Sequence, residues 1–224
     1  MLVPLTREKF EQIVPLIATG SQYASVLGKV RDILRRVLIS VVGVLVVWLL
    51  STFLGDNVGG LKIILGSIVG LYWLWSPVYL ASRRNAAERK IPYSGFWRGR
   101  VTDVFVTDEL IGEEETVNNR GELVIVENRE RRINIEVADQ SGFRELIQAP
   151  LKRLHKGIKP GQIAELVVLS KQPDLSLIAA VTDVYLPNLN LWVGAYPYLQ
   201  RNVFAQVSSE LRENYNYSYS SKRR

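Results

Sequence analysis

"VLISVVGVLVVWLLSTFL", Val37 to Leu54, holds no charged residue. A run of about 18 apolar residues is just long enough to cross a bilayer core with some tilt. "GDNVGG" follows, with Gly55, Gly59 and Gly60 marking a tight loop. A second uncharged run, "IILGSIVGLYWLWSPVYLA" from Ile63 to Ala81, is about 19 residues long. Together, residues 37–81 read as a transmembrane helical hairpin. The competing reading is a buried hairpin in a soluble core.

The flanks of these runs are basic. Lys29, Arg31, Arg35 and Arg36 precede the first, and Arg83, Arg84, Arg89 and Lys90 follow the second. The connecting loop offers only Asp56 and, at its edge, Lys62. The positive-inside bias then puts both termini on the cytoplasmic or stromal side, with the basic flanks against anionic lipid. The apolar run begins too far in for the N-terminus to read as a signal peptide. Gly66 and Gly70 form a small-xxx-small face for close helix packing, on the first span or on a partner helix. Tyr72, Trp73, Trp75 and Tyr79 suit an interfacial belt, and Pro77 is expected to kink or end the helix. Neither span holds an ionisable residue, so the hairpin reads as an anchor and not as a proton or ion pathway.

Residues 1–36 read as an amphipathic arm. Thr6 is a good N-cap, and Phe10, Ile13 and Val14 form a short apolar stripe ahead of Pro15. A second helical stretch from about Ser21 leads into the first span. The arm suits either the lipid interface or the surface of the soluble domain.

From about Gly95 the pattern changes to short β-like runs separated by turns. The strands lie in "FWRGRVTDVFVTD", "GELVIVEN", "RRINIEVAD", "FRELIQAP", "IAELVVLS" and "LSLIAAVTDVYL". "QSG" and "IKPGQ" supply turns. "VTDVF" (Val101–Phe105) returns as "VTDVY" (Val181–Tyr185), which predicts the first and last strands of a barrel lying side by side. The fold class expected is therefore α+β: a two-helix hairpin carrying an OB-like antiparallel barrel over 95–213, with Glu109–Asn128 as an insertion. Leu199, Val203, Val207 and Leu211 recur every fourth residue and predict a C-terminal helix packed on the barrel. "YNYSYSSKRR", residues 214–224, reads as a flexible basic tail.

The chain carries a net charge of +6, no cysteine and a single histidine, His155. Disulfides, thiol chemistry and histidine-cluster metal sites are excluded. His155 reads as a solvated loop residue. Asp103 and Asp183 invite a paired-carboxylate reading, against matched exposed positions on paired strands. No phosphate loop, dinucleotide fingerprint or zinc motif occurs, so no cofactor or metal is expected. "EEE" at Glu113–Glu115 and the few outward aromatics argue against nucleic acid. In "YLPNLNLWVGAYPYL", Leu189, Leu191, Trp192 and Tyr196 read as a strap across the barrel's open end, or as an exposed partner-binding patch.

"VPLTREKFEQIVPLIATGSQYA", "GIKPGQIAELVVLS" and "VTDVYLPNLNLWVGAYPYL" together resemble a family of integral membrane proteins of cyanobacteria, with relatives in plastids. Its members often carry the label phosphate ABC transporter permease. "NAAERK", Asn85–Lys90, is not the EAA-type coupling motif of such permeases, and one hairpin gives fewer spans than a permease uses. The resemblance implies a thylakoid or plasma-membrane setting in an oxygenic phototroph. The expected role is a non-enzymatic accessory or assembly factor of a photosynthetic membrane complex. The alternatives are a subunit or regulator of a phosphate-type transport system and a scaffold in membrane protein quality control.

Overall fold

A computed structural model describes residues 1–54, 59–117 and 121–221, with the backbone alone at Leu54, Glu114 and 213–221. Residues 55–58 of the predicted 55–60 loop and the last three residues of the predicted basic tail lie outside these. The chain divides into a sheet unit, Met1–Ile13 with Ile91–Arg224, and a helical unit, Val14–Lys90. β1 (Leu2–Leu5) and α1 (Arg7–Ile13) open the sheet unit. Thr6 Oγ1 accepts the Lys9 N–H, as expected of an N-cap. Phe10 and Ile13 are buried, so the start of the arm takes the packed alternative.

In the helical unit, α2 (Gly20–Leu27) starts at Thr19 with a reciprocal capping box to Gln22. Gly28, at φ +78°, ends it. The expected continuous helix from Ser21 is therefore broken before α3 (Val30–Leu54). Arg36 donates to the carbonyls of Val26 and Leu27 and so caps the end of α2. Ala18 N–H donates to Ser82 Oγ, and Arg89 to the Val14 carbonyl.

The most apolar 18-residue window of α3 has a mean hydropathy of 2.3, and only 6% of it is buried. α4 (Gly59–Gly70) and α5 (Tyr72–Arg89) meet at Leu71 with a 66° bend. The bend falls ahead of the expected kink: Pro77 lies inside α5. Helix α5 begins afresh at Tyr72, and the Trp73 N–H freed there donates to the buried Ser40 Oγ of α3. Among the described residues, one helix is long and apolar enough to cross a membrane, and there are two such spans if the bent pair counts as one.

The sheet unit continues with β2 (Tyr93–Val117), β3 (Leu123–Ala138), β4 (Arg144–Pro150), β5 (Ile163–Ser170), β6 (Ile178–Val181), β7 (Val184–Leu186) and β8 (Leu191–Val193). All pairings are antiparallel, in the order β4-β3-β2-β5-β7-β8, with β1 also on β2 and β6 also on β5. α6 (Arg201–Ser221) closes the unit. It carries the backbone through most of the segment expected to be a flexible tail.

The sheet is open, and this corrects the expected closed barrel. The strand order ends at β4 on one side and at β8 on the other, and no pairing among the described residues joins these two strands. The two near-repeats therefore do not lie side by side: β5 stands between β2 and the β6–β7 strands. β5 is buried on both faces. Trp97, Val101, Ile133, Ile135, Leu166 and Val184 belong to the core on one face. Phe96, on the other, meets Phe204 of α6 with ring centres 5.6 Å apart.

Candidate interaction surfaces

The sequence-predicted site residues fall into two groups. In the helical unit, a Cβ on Gly70 would lie 3.3 Å from Val44 Cγ2 of α3, so this glycine packs on the neighbouring helix. Gly66 has nothing within 4 Å of such a Cβ. The tightest approach belongs to Gly43, where a Cβ would lie 2.2 Å from Val69 Cγ1. Gly43 stands alone in its run, and sequence reasoning missed it.

The second group lies along the strap. Leu191 and Trp192 belong to β8, paired with β7. The Trp192 ring stacks on Tyr185 at 4.5 Å and meets Phe204 edge-on at 5.4 Å. Arg201 sits 6.0 Å above it. Tyr196 is buried and Leu189 is exposed.

The carboxylates do not converge. Asp103 is exposed at the root of a hairpin, whereas Asp183 is buried, so the matched exposed positions expected of them are absent. Asp183 Oδ1 accepts the Leu199 N–H at 3.1 Å, and Oδ2 has no hydrogen-bond partner among the described residues. Burial pushes its carboxyl up to about 7 against the pull of the Leu199 and Tyr198 amides and Arg201. His155 is also buried, contrary to the solvated-loop expectation. It sits in a 3-10 turn, Arg153–Gly157, with Nδ1 accepting the Lys152 N–H. Burial, then the charge of Lys152, holds its pKa below the usual value. Among the described residues, no three acidic or imidazole groups gather where they could hold a metal.

Two surfaces are left open. The first is an arm. β5 accompanies β2 only as far as Arg100, and β4 accompanies β3 only from Arg132. Between them, Glu109–Val117 and Leu123–Glu130 pair with each other and with no third strand. This ribbon is about 30 Å long at roughly 3.3 Å per residue. It contains most of the segment read as an insertion. A bulge between Leu110 and Gly112 shifts the register. Beyond it, Glu113, Glu115 and Val117 share a face with Leu123, Ile125 and Glu127. Val117, Leu123 and Ile125 are at least 60% exposed, so this face carries exposed apolar side chains beyond its acids.

The second is a cleft of about 930 Å³ beside Arg98 and Arg100 of β2, Arg212 of α6 and the Asp139–Ser141 turn. Asp139 is the carboxylate of its lining, and Glu165, the fully buried partner of Arg98, is not in that lining. Glu165 Oε2 accepts the Ser208 hydroxyl at 2.6 Å, and Oε1 lies 3.6 Å from Arg98 Nη1. Asp139 accepts from Trp97 Nε1, from Ser141 and from the chain's amino group. Burial raises the Asp139 pKa, but the Ser141 hydrogen bonds and the amino group outweigh it and hold it below the ordinary value. Arg212 Nε donates to the Ser208 carbonyl. Arg100 has no ion-pair partner among the described residues. The cleft is therefore left with outward positive charge.

A family model described as a family of unknown function (DUF8619) matches residues 3–214. The chain belongs to the DUF8619 family. That match spans both units, so the helices and the sheet are one family architecture. No curated protein and no solved structure matches the chain.

Proposed function

We propose that this DUF8619 member is a non-enzymatic, membrane-anchored accessory or assembly factor. Its helical unit would be a bilayer hairpin, α3 forming one span and the bent α4–α5 pair the other. The observation that carries this reading is the exposure of α3. A helix whose 18-residue apolar window is only 6% buried would place a large apolar surface in water. Lipid removes that cost. The basic flanks favour a cytoplasmic or stromal sheet unit. The separation of Asp103 from Asp183, and the burial of His155, favour a binding role over acid–base chemistry. The resemblance to cyanobacterial and plastid membrane proteins makes a photosynthetic complex the partner to test first.

The experiment is affinity purification of the tagged full chain from phototroph membranes in mild detergent. Recovery of photosystem, cytochrome or dehydrogenase subunits in stoichiometric amounts is the expected result. Recovery of the chain with none of these removes the photosynthetic assignment.

A further inference from the structure

We propose that the acidic arm of one copy docks in the Arg100–Arg212 cleft of a second copy, joining copies head to tail. This goes beyond the accessory-factor reading and does not depend on which complex the factor serves.

Among the described residues, the arm carries acid without a counterion. Glu113 stands directly opposite Glu127 in the β2–β3 register, and like charges so placed repel. Glu127 is held by Arg129, with Nη2 at 2.8 Å. Glu113 and Glu115 have no ion-pair partner among the described residues. The cleft has the opposite imbalance. The carboxylate in its lining, Asp139, is hydrogen-bonded, while among the described residues Arg100 has no carboxylate partner and Arg212 donates to a carbonyl. Two unmatched charged surfaces of opposite sign thus stand on one unit.

They cannot meet within one copy. Glu113 lies thirteen residues beyond Arg100 on the same strand, roughly 40 Å away along a paired ribbon. The partner must be another molecule. The arm also has cause to be covered. A two-stranded ribbon is marginal by itself, and both of its edges are open templates for further contact. Val117, Leu123 and Ile125 add exposed apolar side chains beyond the acids. An arm-to-cleft contact uses different patches on the two copies. Repetition therefore gives a ring if the rotation closes and a filament if it does not.

The test measures the mass of the full chain in mild detergent by light scattering, across protein concentration and ionic strength. The wild-type chain is expected to associate and to dissociate as salt rises. Glu113→Lys with Glu115→Lys, and separately Arg100→Glu with Arg212→Glu, should each weaken association at least about ten-fold. The chain carrying all four changes should recover it, because the charges are exchanged. Glu113→Gln with Glu115→Gln repeats the first arm without reversing charge, and is expected to weaken association less. A monomeric wild-type chain overturns the proposal. So does association unmoved by the reversals, or a four-fold variant that stays apart. Binding of phosphatidylglycerol vesicles or inorganic phosphate that depends on Arg100 and Arg212, with association unchanged, makes the cleft an anion site and also overturns it.

Discussion

Gln22 Oε1 accepts the Asn85 side-chain N–H of α5 at 2.8 Å while it also accepts the Thr19 backbone N–H at 3.0 Å. Both amides are fully buried, so one oxygen caps α2 and pins α2 to α5. Neither residue stands out in the sequence. Removing one partner strands a buried polar group, which costs about 1–3 kcal/mol. Gln22→Ala and Asn85→Ala should each lower the unfolding midpoint of the full chain in detergent. The double variant should lose less than the sum of the two. Strict additivity would show that the contact contributes nothing.

Gly43 and Gly66 should respond in opposite ways to alanine. At Gly43 the new methyl meets Val69 Cγ1, part of a short β-branched side chain with little freedom to withdraw. Gly43→Ala is expected to destabilise the α3–α4 pair by about 1–3 kcal/mol. Gly66→Ala meets open space and is expected to be neutral, or stabilising by up to about 1 kcal/mol through helix propensity. Denaturation in mixed SDS micelles reads both. Equal destabilisation by the two would contradict this packing.

The α3 run was legible because an unbroken apolar stretch has few structural uses. The break at Gly28 and the bend at Leu71 were not. Both depend on single positions where the chain is free to turn, and Pro77 drew attention away from the bend. The turns at Asp139–Gly142 and Pro160–Gly161 were readable from local chemistry, and Gly142 and Gly161 do adopt positive φ. Sheet order was not readable, because strand pairing is non-local. "VTDV" illustrates the limit: the same four letters expose Asp103 on a hairpin and bury Asp183 under α6. The acidic run Glu113–Glu115 was read only as an argument against nucleic acid. Its placement on an unaccompanied arm requires knowing where β4 and β5 stop.

Asp183 makes stability depend on pH. Its folded-state carboxyl lies at about 7, above the 3.8 of an unperturbed aspartate. Between these values the folded chain holds a proton that the unfolded chain has released, so stability falls as pH rises from about 4 to about 7. At roughly 1.4 kcal/mol per unit the full effect is of the order of 4 kcal/mol. Asp183→Asn keeps the shape and an acceptor for Leu199. It should flatten this part of the profile in chemical denaturation at fixed ionic strength. An unchanged slope would assign the pH dependence to other groups.

Trp192 is half-buried between Tyr185, Phe204 and Arg201. Trp192→Ala removes a stacked ring and leaves a gap beneath α6, at a cost of about 3 kcal/mol. Thermal unfolding should show a fall of several degrees. A midpoint that does not move would make the ring a free docking surface instead of part of the strap.

Alkaline carbonate extraction of membranes from cells expressing the full chain tests the anchor most directly. It strips proteins held by charge and leaves those whose apolar helices lie in the bilayer. Retention in the pellet is the predicted result, with release when Leu45 and Leu49 of α3 are both replaced by arginine. Recovery of the wild-type chain in the supernatant would contradict the membrane-anchored reading.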